Sequence, residues 1–235
     1  MSAFLNIKLV KMKKILIVFG TRPEAIKMAP LVKELYHHAE FDTKVCVTAQ
    51  HREMLDQVLA FFSIQPDYDL DLMKANQTLN QLSARILTAI DEVLVSFKPD
   101  LVLVLGDRFE IFAACLSAFV LKIPIAHIHG GEVTEGAFDD AIRHSITKMA
   151  SMHFVASERY RQRVIQLGEH PKFVFNVGGL GVDCVNSVKL MTKEEIQKNL
   201  SFEYRAFNLM ITFHPVTAAE NEALPELIAL KGVEE

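Results

Sequence analysis

Carboxylates, imidazoles and cations gather in a few short segments of this sequence, most of them directly after an apolar run. Gly106-Asp107-Arg108-Phe109-Glu110 follows Leu101–Leu105. Asp107 there can carry a proton or position a group that does. A helix N-cap is the competing role, and position alone leaves both open. His127-Ile128-His129-Gly130-Gly131-Glu132 is denser, and continues to Glu135, Asp139, Asp140, Arg143 and His144. Crowded carboxylates drive each other's pKa values apart, which gives one site both an acid and a base. His127, His129 and Glu132 are also metal-ligand types. The plainer alternative is a polar surface in which Arg143 pairs with Asp139 or Asp140 along a helix.

Other segments suit anions or sugars. Gly20-Thr21-Arg22-Pro23-Glu24-Ala25-Ile26-Lys27 follows the run Ile15–Phe19. Glycine allows a sharp turn, proline suits the first helical turn, and the free N–H groups of a helix start attract anions. Arg22 can fork onto phosphate oxygens and Lys27 adds a point charge. The spacing is neither a Walker loop nor a GxGxxG fingerprint. His51 and Arg52 follow a second strand-like run and are candidates to line the same cleft. Asn176–Asp183 is glycine-rich and suits a sugar contact or a hinge; His214 follows the apolar run Leu209–Thr212.

The elements that must position these groups alternate. Ile15–Phe19, Lys44–Ala49, Leu101–Leu105, Pro124–His127, His153–Ala156, Phe173–Val177 and Leu209–Thr212 read as strands. Helical spacing covers Pro23–His38 (apolar at Ile26, Pro30, Leu31 and Leu35), His51–Phe62, Thr78–Phe97, Phe109–Leu121, Phe138–Met149, Met191–Leu200 and Ala218–Leu230. Repeated β-then-α order implies an α/β fold with a Rossmann-like parallel sheet, whose ligands bind at the carboxyl ends of strands. A first domain over 13–190, a linker or helix over 191–207 and the start of a second domain over 208–235 are expected.

The bulk properties exclude several classes. The 235 residues are half hydrophobic and 23% charged, with a net charge of −4, so nothing draws the whole chain to nucleic acid or anionic membrane. Three scattered cysteines make a disulfide framework or zinc knuckle improbable and suit a reducing cytoplasm. No apolar run approaches the ~20 residues of a membrane span, and the apolar stretch in the first residues is too short for a signal-peptide core followed by a cleavage site. No serine nucleophile elbow or nucleotide-stacking aromatic platform is evident.

Several segments resemble a known family. Gly20–Pro30 and Thr48–Arg52 are similar to the opening of UDP-N-acetylglucosamine 2-epimerases. Gly106–Glu110, His127–Thr134 and Asp139–Lys148 resemble the hydrolysing branch, which feeds sialic acid and related nonulosonic acid synthesis. The likeness runs in order from about Lys13 to Thr217. It implies a GT-B fold of two Rossmann-like domains, a homo-oligomer, and a UDP-sugar substrate handled without metal or nicotinamide cofactor. UDP leaves C1 as the C2 proton is removed, water adds to the 2-acetamidoglucal, and N-acetylmannosamine is released. In the non-hydrolysing branch UDP adds back.

By the same resemblance Asp107 and one of Asp139 or Asp140 correspond to essential carboxylates, and His214 to a histidine of the second domain. Arg22 and Lys27 correspond to a basic loop near the diphosphate. His51, Arg52, Arg108 and Arg143 join them as substrate-binding candidates. Several family members have Glu where this chain has His129, so Glu132 or His129 is expected to fill that role. The chain is expected to be cut off soon after its second domain begins, and therefore to have little activity alone.

Overall fold

The computed structural model describes residues 12–48, 52–74, 76–210 and 212. Seven parallel strands form one sheet in the order β3-β2-β1-β4-β5-β6-β7. They are β1 (Lys13–Phe19), β2 (Phe41–Val47), β3 (Tyr68–Asp69), β4 (Leu101–Leu105), β5 (Ile125–Ile128), β6 (Met152–Val155) and β7 (Val174–Asn176). Among the described residues the α-helices are α1 (Arg22–His37), α2 (Arg52–Phe62), α3 (Leu79–Phe97), α4 (Phe109–Val120), α5 (Asp139–Met149), α6 (Glu158–Gln166), α7 (Leu180–Ser187) and α8 (Lys193–Leu200). The α/β, Rossmann-like reading is correct.

The continuous apolar runs became the central strands for the expected reason. Leu16, Ile17, Val18 and Phe19 of β1 are fully buried, as strands covered on both faces must be. β1 pairs with β2 on one side and β4 on the other, with Ile17 opposite both Val45 and Leu103. The strand order therefore reverses between β1 and β4. Right-handed crossovers then put α1 and α2 on one face of the sheet and α4 and α5 on the other. The largest core cluster joins Leu16, Val18, Val102 and Val104 to Ile86, Ile90 and Leu94 of α3 and Ile111, Ala114 and Ala118 of α4. Helix α3 is closed at both ends. Thr78 and Gln81 exchange side-chain and main-chain hydrogen bonds at its start, and Lys98 stops it in the left-handed conformation.

Five readings need correction. Helix α1 buries Ala25, Met28, Ala29 and Val32, whereas Ile26, Pro30, Leu31 and Leu35 are only half-buried. This helix packs on β1, β2, α2 and α7 together, and the residues it buries fully include Met28 and Val32 as well as the two alanines. Helix α6 was not foreseen, because its charged sequence buries only Val164. Helix α7 grows out of the glycine-rich segment, which is thus a helix start and not only a strand end. The two-residue β3 was missed between Pro66 and Leu70. Of the strand expected at Leu209–Thr212, the described residues Leu209, Met210 and Thr212 have no regular structure. The helix expected at Ala218–Leu230 lies outside the described residues.

The chain divides into two compact units, Met1–Val133 with Asp139–Ser187, and Thr134–Phe138 with Val188–Glu235. The first holds the whole sheet; the second holds α8, capped by Thr192 and Glu195. Among the described residues no helix is long and apolar enough to cross a membrane. Cys46, Cys115 and Cys184 are all buried and free.

The exit from β1 admits no side chain at Gly20. A Cβ built there stands 2.1 Å from Thr48 Oγ1 at the end of β2, and Thr48 is itself buried. Gly20→Ala should therefore cost about 1–3 kcal/mol by overpacking, and Thr48→Ala in the same chain should restore most of it. Urea denaturation of the single and double variants measures both effects. Equal stability of Gly20→Ala and parent, or no recovery in the pair, would contradict this contact.

Candidate active site

A cleft of about 440 Å³ opens at the strand-order reversal, over the carboxyl ends of β1, β4 and β5. Open parallel sheets place ligands at this point because the flanking helices diverge there. The β1–α1 turn supplies Arg22, Glu24 and Lys27; the β4–α4 turn supplies Asp107 and Arg108; the turn after β5 supplies His129 and Glu132. Arg143 rises into the wall from α5.

Arg143 is the link between these turns. Its side chain is 5% exposed and is ion-paired to Asp107 through Nη2 and to Asp140 through Nη1, the latter at 3.1 Å. The pairing with Asp140 is the one-turn contact expected along a helix. The pairing with Asp107, thirty-six residues away, is not local. Asp107 therefore does not cap α4, whose N-cap is Arg108. His144 Nε2 lies 3.4 Å from the other oxygen of Asp140.

Two left-handed residues steer the turn after β5. His129 has φ 64° and Gly131 φ 78°; the first is uncommon for a residue with a Cβ, and the second requires glycine. At Gly131 a Cβ would also stand 2.5 Å from the Tyr160 carbonyl. Arg163 of α6 donates to the Gly131 carbonyl at 2.6 Å and ties the turn down. Glu132 is thereby brought back to His129, with Oε1 2.6 Å from Nδ1. Burial works to raise the Glu132 carboxyl, but His129, Arg143 and Lys27 outweigh it and hold it below the usual range. It is poised to stay a carboxylate.

Asp139 is shifted the other way. Burial and the neighbouring Asp107 charge raise it, against Arg108 and Arg143. One lowered and one raised carboxyl thus stand in one neighbourhood. Glu110, 1% exposed, is also raised by burial; its nearest cation is Arg108, with Nε 3.5 Å away.

Arg22, Lys27, Asp107, Arg108, His129, Glu132 and Arg143 thus share one cleft. Asp139 and Asp140 do not line it but adjoin it through Asp107 and Arg143. Arg52 is elsewhere engaged, with Asp69 at 2.6 Å, Asp56 at 3.0 Å and Asp71 at 3.8 Å. His51 and His214 lie outside the described residues. Among the described residues no three His, Cys, Asp or Glu side chains gather as a metal site. His127 is not a ligand-facing group at all. It is fully buried, with Nε2 2.7 Å from the Gly106 carbonyl and Nδ1 3.2 Å from Thr147 Oγ1. A carbonyl only accepts, so Nε2 carries the proton. Sequence reasoning did not single out Glu24, which is buried at the cleft wall; the capping pattern Thr21-x-x-Glu24 was the available signal.

Comparison with known proteins gives a consistent family. A profile described as UDP-N-acetylglucosamine 2-epimerase matches residues 33–232. A protein named probable UDP-N-acetylglucosamine 2-epimerase from Ralstonia solanacearum is 47% identical over 182 residues, 76% of this chain and 48% of that protein. The UDP-N-acetylglucosamine 2-epimerase of Salmonella typhimurium is 41% identical over 212 residues, 86% of this chain and 56% of that one. The chain thus spans about half the length of the curated relatives it matches. Among solved structures, the Neisseria meningitidis UDP-GlcNAc 2-epimerase bound to UDP-GlcNAc superposes with TM-score 0.76 at 40% identity, covering 81% of this chain and 54% of its own. That of Methanocaldococcus jannaschii in complex with UDP-GlcNAc and UDP gives 0.69 at 28% identity, covering 74% and 48%.

Two outcomes follow from the site's electrostatics. Arg143→Met leaves Asp107 and Asp140 facing each other without their shared cation. It should lower stability at neutral pH by about 2–3 kcal/mol, while Arg143→Lys should lower it less; chemical denaturation reads both. His127 is pushed down to about 3 by burial, against the ordinary 6.5 of an unfolded chain. The unfolded state therefore binds the proton first, and this histidine's stabilisation is complete above pH 6.5 and is lost as pH falls toward 3. His127→Gln should have a flatter acid limb than the parent in urea midpoints measured from pH 7.5 to 4.5. Parallel curves would show that His127 is not the group responsible.

Proposed function

The chain belongs to the UDP-N-acetylglucosamine 2-epimerase family, and from that premise we propose that its cleft acts on the C2 position of UDP-N-acetylglucosamine. The observation that carries the reading is the joining of Asp107, Glu132 and Arg143 with Arg22, Lys27 and Arg108 around one cavity. Inverting C2 requires removal of a weakly acidic proton and departure of a diphosphate from C1. The first needs a carboxylate held ionised near a cation-bound partner; the second needs positive charge beside the leaving oxygen.

In this reading Glu132 or Asp107 takes the C2 proton. Glu132 is held as a carboxylate by His129, Arg143 and Lys27. Asp107 is fixed in place by the Arg143 guanidinium. Asp139, raised by burial and by Asp107, is the group suited to deliver a proton. Arg22, Lys27 and Arg108 offset the charge that develops as UDP departs, and Arg22 is the most exposed of the three toward solvent. The turns after β1, β4 and β5, together with helix α5, supply these groups.

The hydrolysing outcome, in which water adds to the glucal and N-acetylmannosamine is released, rests on the resemblance of the Gly106–Glu110, His127–Thr134 and Asp139–Lys148 segments. A second outcome, return of UDP to C1, is favoured by relatives at 41–47% identity that are named simply as epimerases. Membership of a homo-oligomer and residence in the cytoplasm are parts of the same proposal.

Incubation with UDP-N-acetylglucosamine in deuterium oxide tests it. The C2 proton should be exchanged or lost, and Asp107→Asn should slow this by at least about 100-fold. Free N-acetylmannosamine with UDP identifies hydrolysis; UDP-N-acetylmannosamine identifies epimerisation alone. Failure to exchange C2, to release UDP and to bind the nucleotide sugar near Arg22 and Lys27 would overturn the reading.

A further inference from the structure

The β1–α1 turn has the form of an anion site, yet its donors are already taken. Glu24 Oε2 accepts from the Gly20 N–H at 2.9 Å, the Thr21 N–H at 2.8 Å and the Thr21 hydroxyl at 2.9 Å. An ordinary capping box would use only the N-cap N–H. Here the carboxylate also takes the glycine N–H before it and the neighbouring hydroxyl. A phosphate oxygen at a helix start is held by the same kind of convergence.

The carboxylate is not there to neutralise a cation. Among the described residues Glu24 has no ion-pair partner, and its Oε1 is buried without a hydrogen bond. The space beside Gly20 is closed as well, since a Cβ there would meet Thr48. Glu24 is 4% exposed yet reaches the wall of the cleft. Arg22 and Lys27 stand on the same helix, Asp107 and Arg108 on the β4–α4 turn, His129 and Glu132 on the turn after β5, Arg143 on α5, and Glu110 on α4.

We propose that Glu24 is the resident anion of the β1–α1 turn, a positioning residue that occupies the main-chain donors a ligand phosphate would otherwise take, so that phosphate is directed to the Arg22, Lys27 and Arg108 side chains. The inference rests on the proposed nucleotide-sugar site only for the identity of the phosphate's natural carrier. Burial pushes the Glu24 carboxyl up to about 7, against the Gly20 and Thr21 hydrogen bonds and with a further push from Glu110. The turn thus holds a carboxyl whose ionisation its own amides can report.

The test is a titration of the ¹⁵N-labelled 235-residue chain with inorganic phosphate, followed by amide and side-chain resonances. In the parent, the Arg22 and Lys27 side chains should move saturably while the Gly20 and Thr21 amides stay in place. Glu24→Ala opens the turn. Its Gly20 and Thr21 amides should then follow phosphate, with affinity raised roughly five- to tenfold as expected for an anion at a helix start. Glu24→Gln keeps an acceptor for the same donors and should behave like the parent toward phosphate. It should also abolish a pH titration of the Gly20 and Thr21 amide shifts that centres near 7 in the parent.

Saturable movement of the Gly20 and Thr21 amides in the parent would overturn the proposal. So would a folded Glu24→Ala protein whose turn ignores phosphate, or a Glu24→Gln protein that still shows the titration. If Glu24→Ala does not fold, the parent and Glu24→Gln titrations decide. None of these readings requires turnover. A chain that passes them but leaves UDP-N-acetylglucosamine unchanged would remove the proposed function and leave this inference standing.

Discussion

A guanidinium buried between two carboxylates organises this molecule's chemistry. Arg143 belongs to α5, Asp107 to the end of β4, and Asp140 to the first turn of α5. Desolvating a permanent cation is costly unless anions meet it. The fold meets that demand with residues from two elements, and so fixes the end of β4 to the helix that follows β5. Below this pair, His127 donates to the Gly106 carbonyl and touches Thr147, which in turn donates to the Arg143 carbonyl at 3.0 Å. The same turn that presents Asp107 to the cleft is thus held from beneath by a neutral imidazole.

Charge in the cleft is arranged by depth. Arg22 is exposed and Lys27 and Arg108 half-buried, where long side chains can meet a diphosphate without great desolvation. The carboxyls divide according to what surrounds them. Glu132, beside His129, Arg143 and Lys27, is held low; Asp139 is raised by burial and by Asp107. Glu24 and Glu110 lie deepest, in the first turns of α1 and α4 on either side of the strand-order reversal, and burial dominates both. Helix starts tolerate acidic groups because their free N–H groups offer partial positive charge. That is why two carboxyls can remain beneath the cleft.

Most of the fold could be read from pattern. Leu101–Leu105 and Ile15–Phe19 are unbroken apolar runs, and strands buried on both faces admit little else. The α3 stripe from Leu82 to Phe97 repeats with helical period and became the side of the main core. The exceptions share a cause. Helix α6 fully buries only Val164, with Tyr160 and Ile165 packed beside it, and α7 only Cys184, so each offers a short apolar set among polar residues. Pairing with Cys46 and Val47 makes β3 a strand; its two residues hold no period. In α1, which packs on β1, β2, α2 and α7 at once, the buried apolar set is Ala25, Met28, Ala29 and Val32, so Ile26, Leu31 and Leu35 did not mark the most buried side.

The sequence by itself determined the parallel α/β sheet, the placing of Arg22, Asp107 and Glu132 at strand ends, and the likeness to a family of sugar-nucleotide enzymes. Those properties depend on residue type, local period and short motifs, which are all local along the chain. Only the tertiary structure decided which charges meet. It joined Arg143 to Asp107 across thirty-six residues, turned His127 into the core while leaving His129 at the cleft, engaged Arg52 with three aspartates, and closed Glu24 over the amides of the first turn. Pairing and burial depend on distances through space, and these exist only once the sheet has brought its strand ends together.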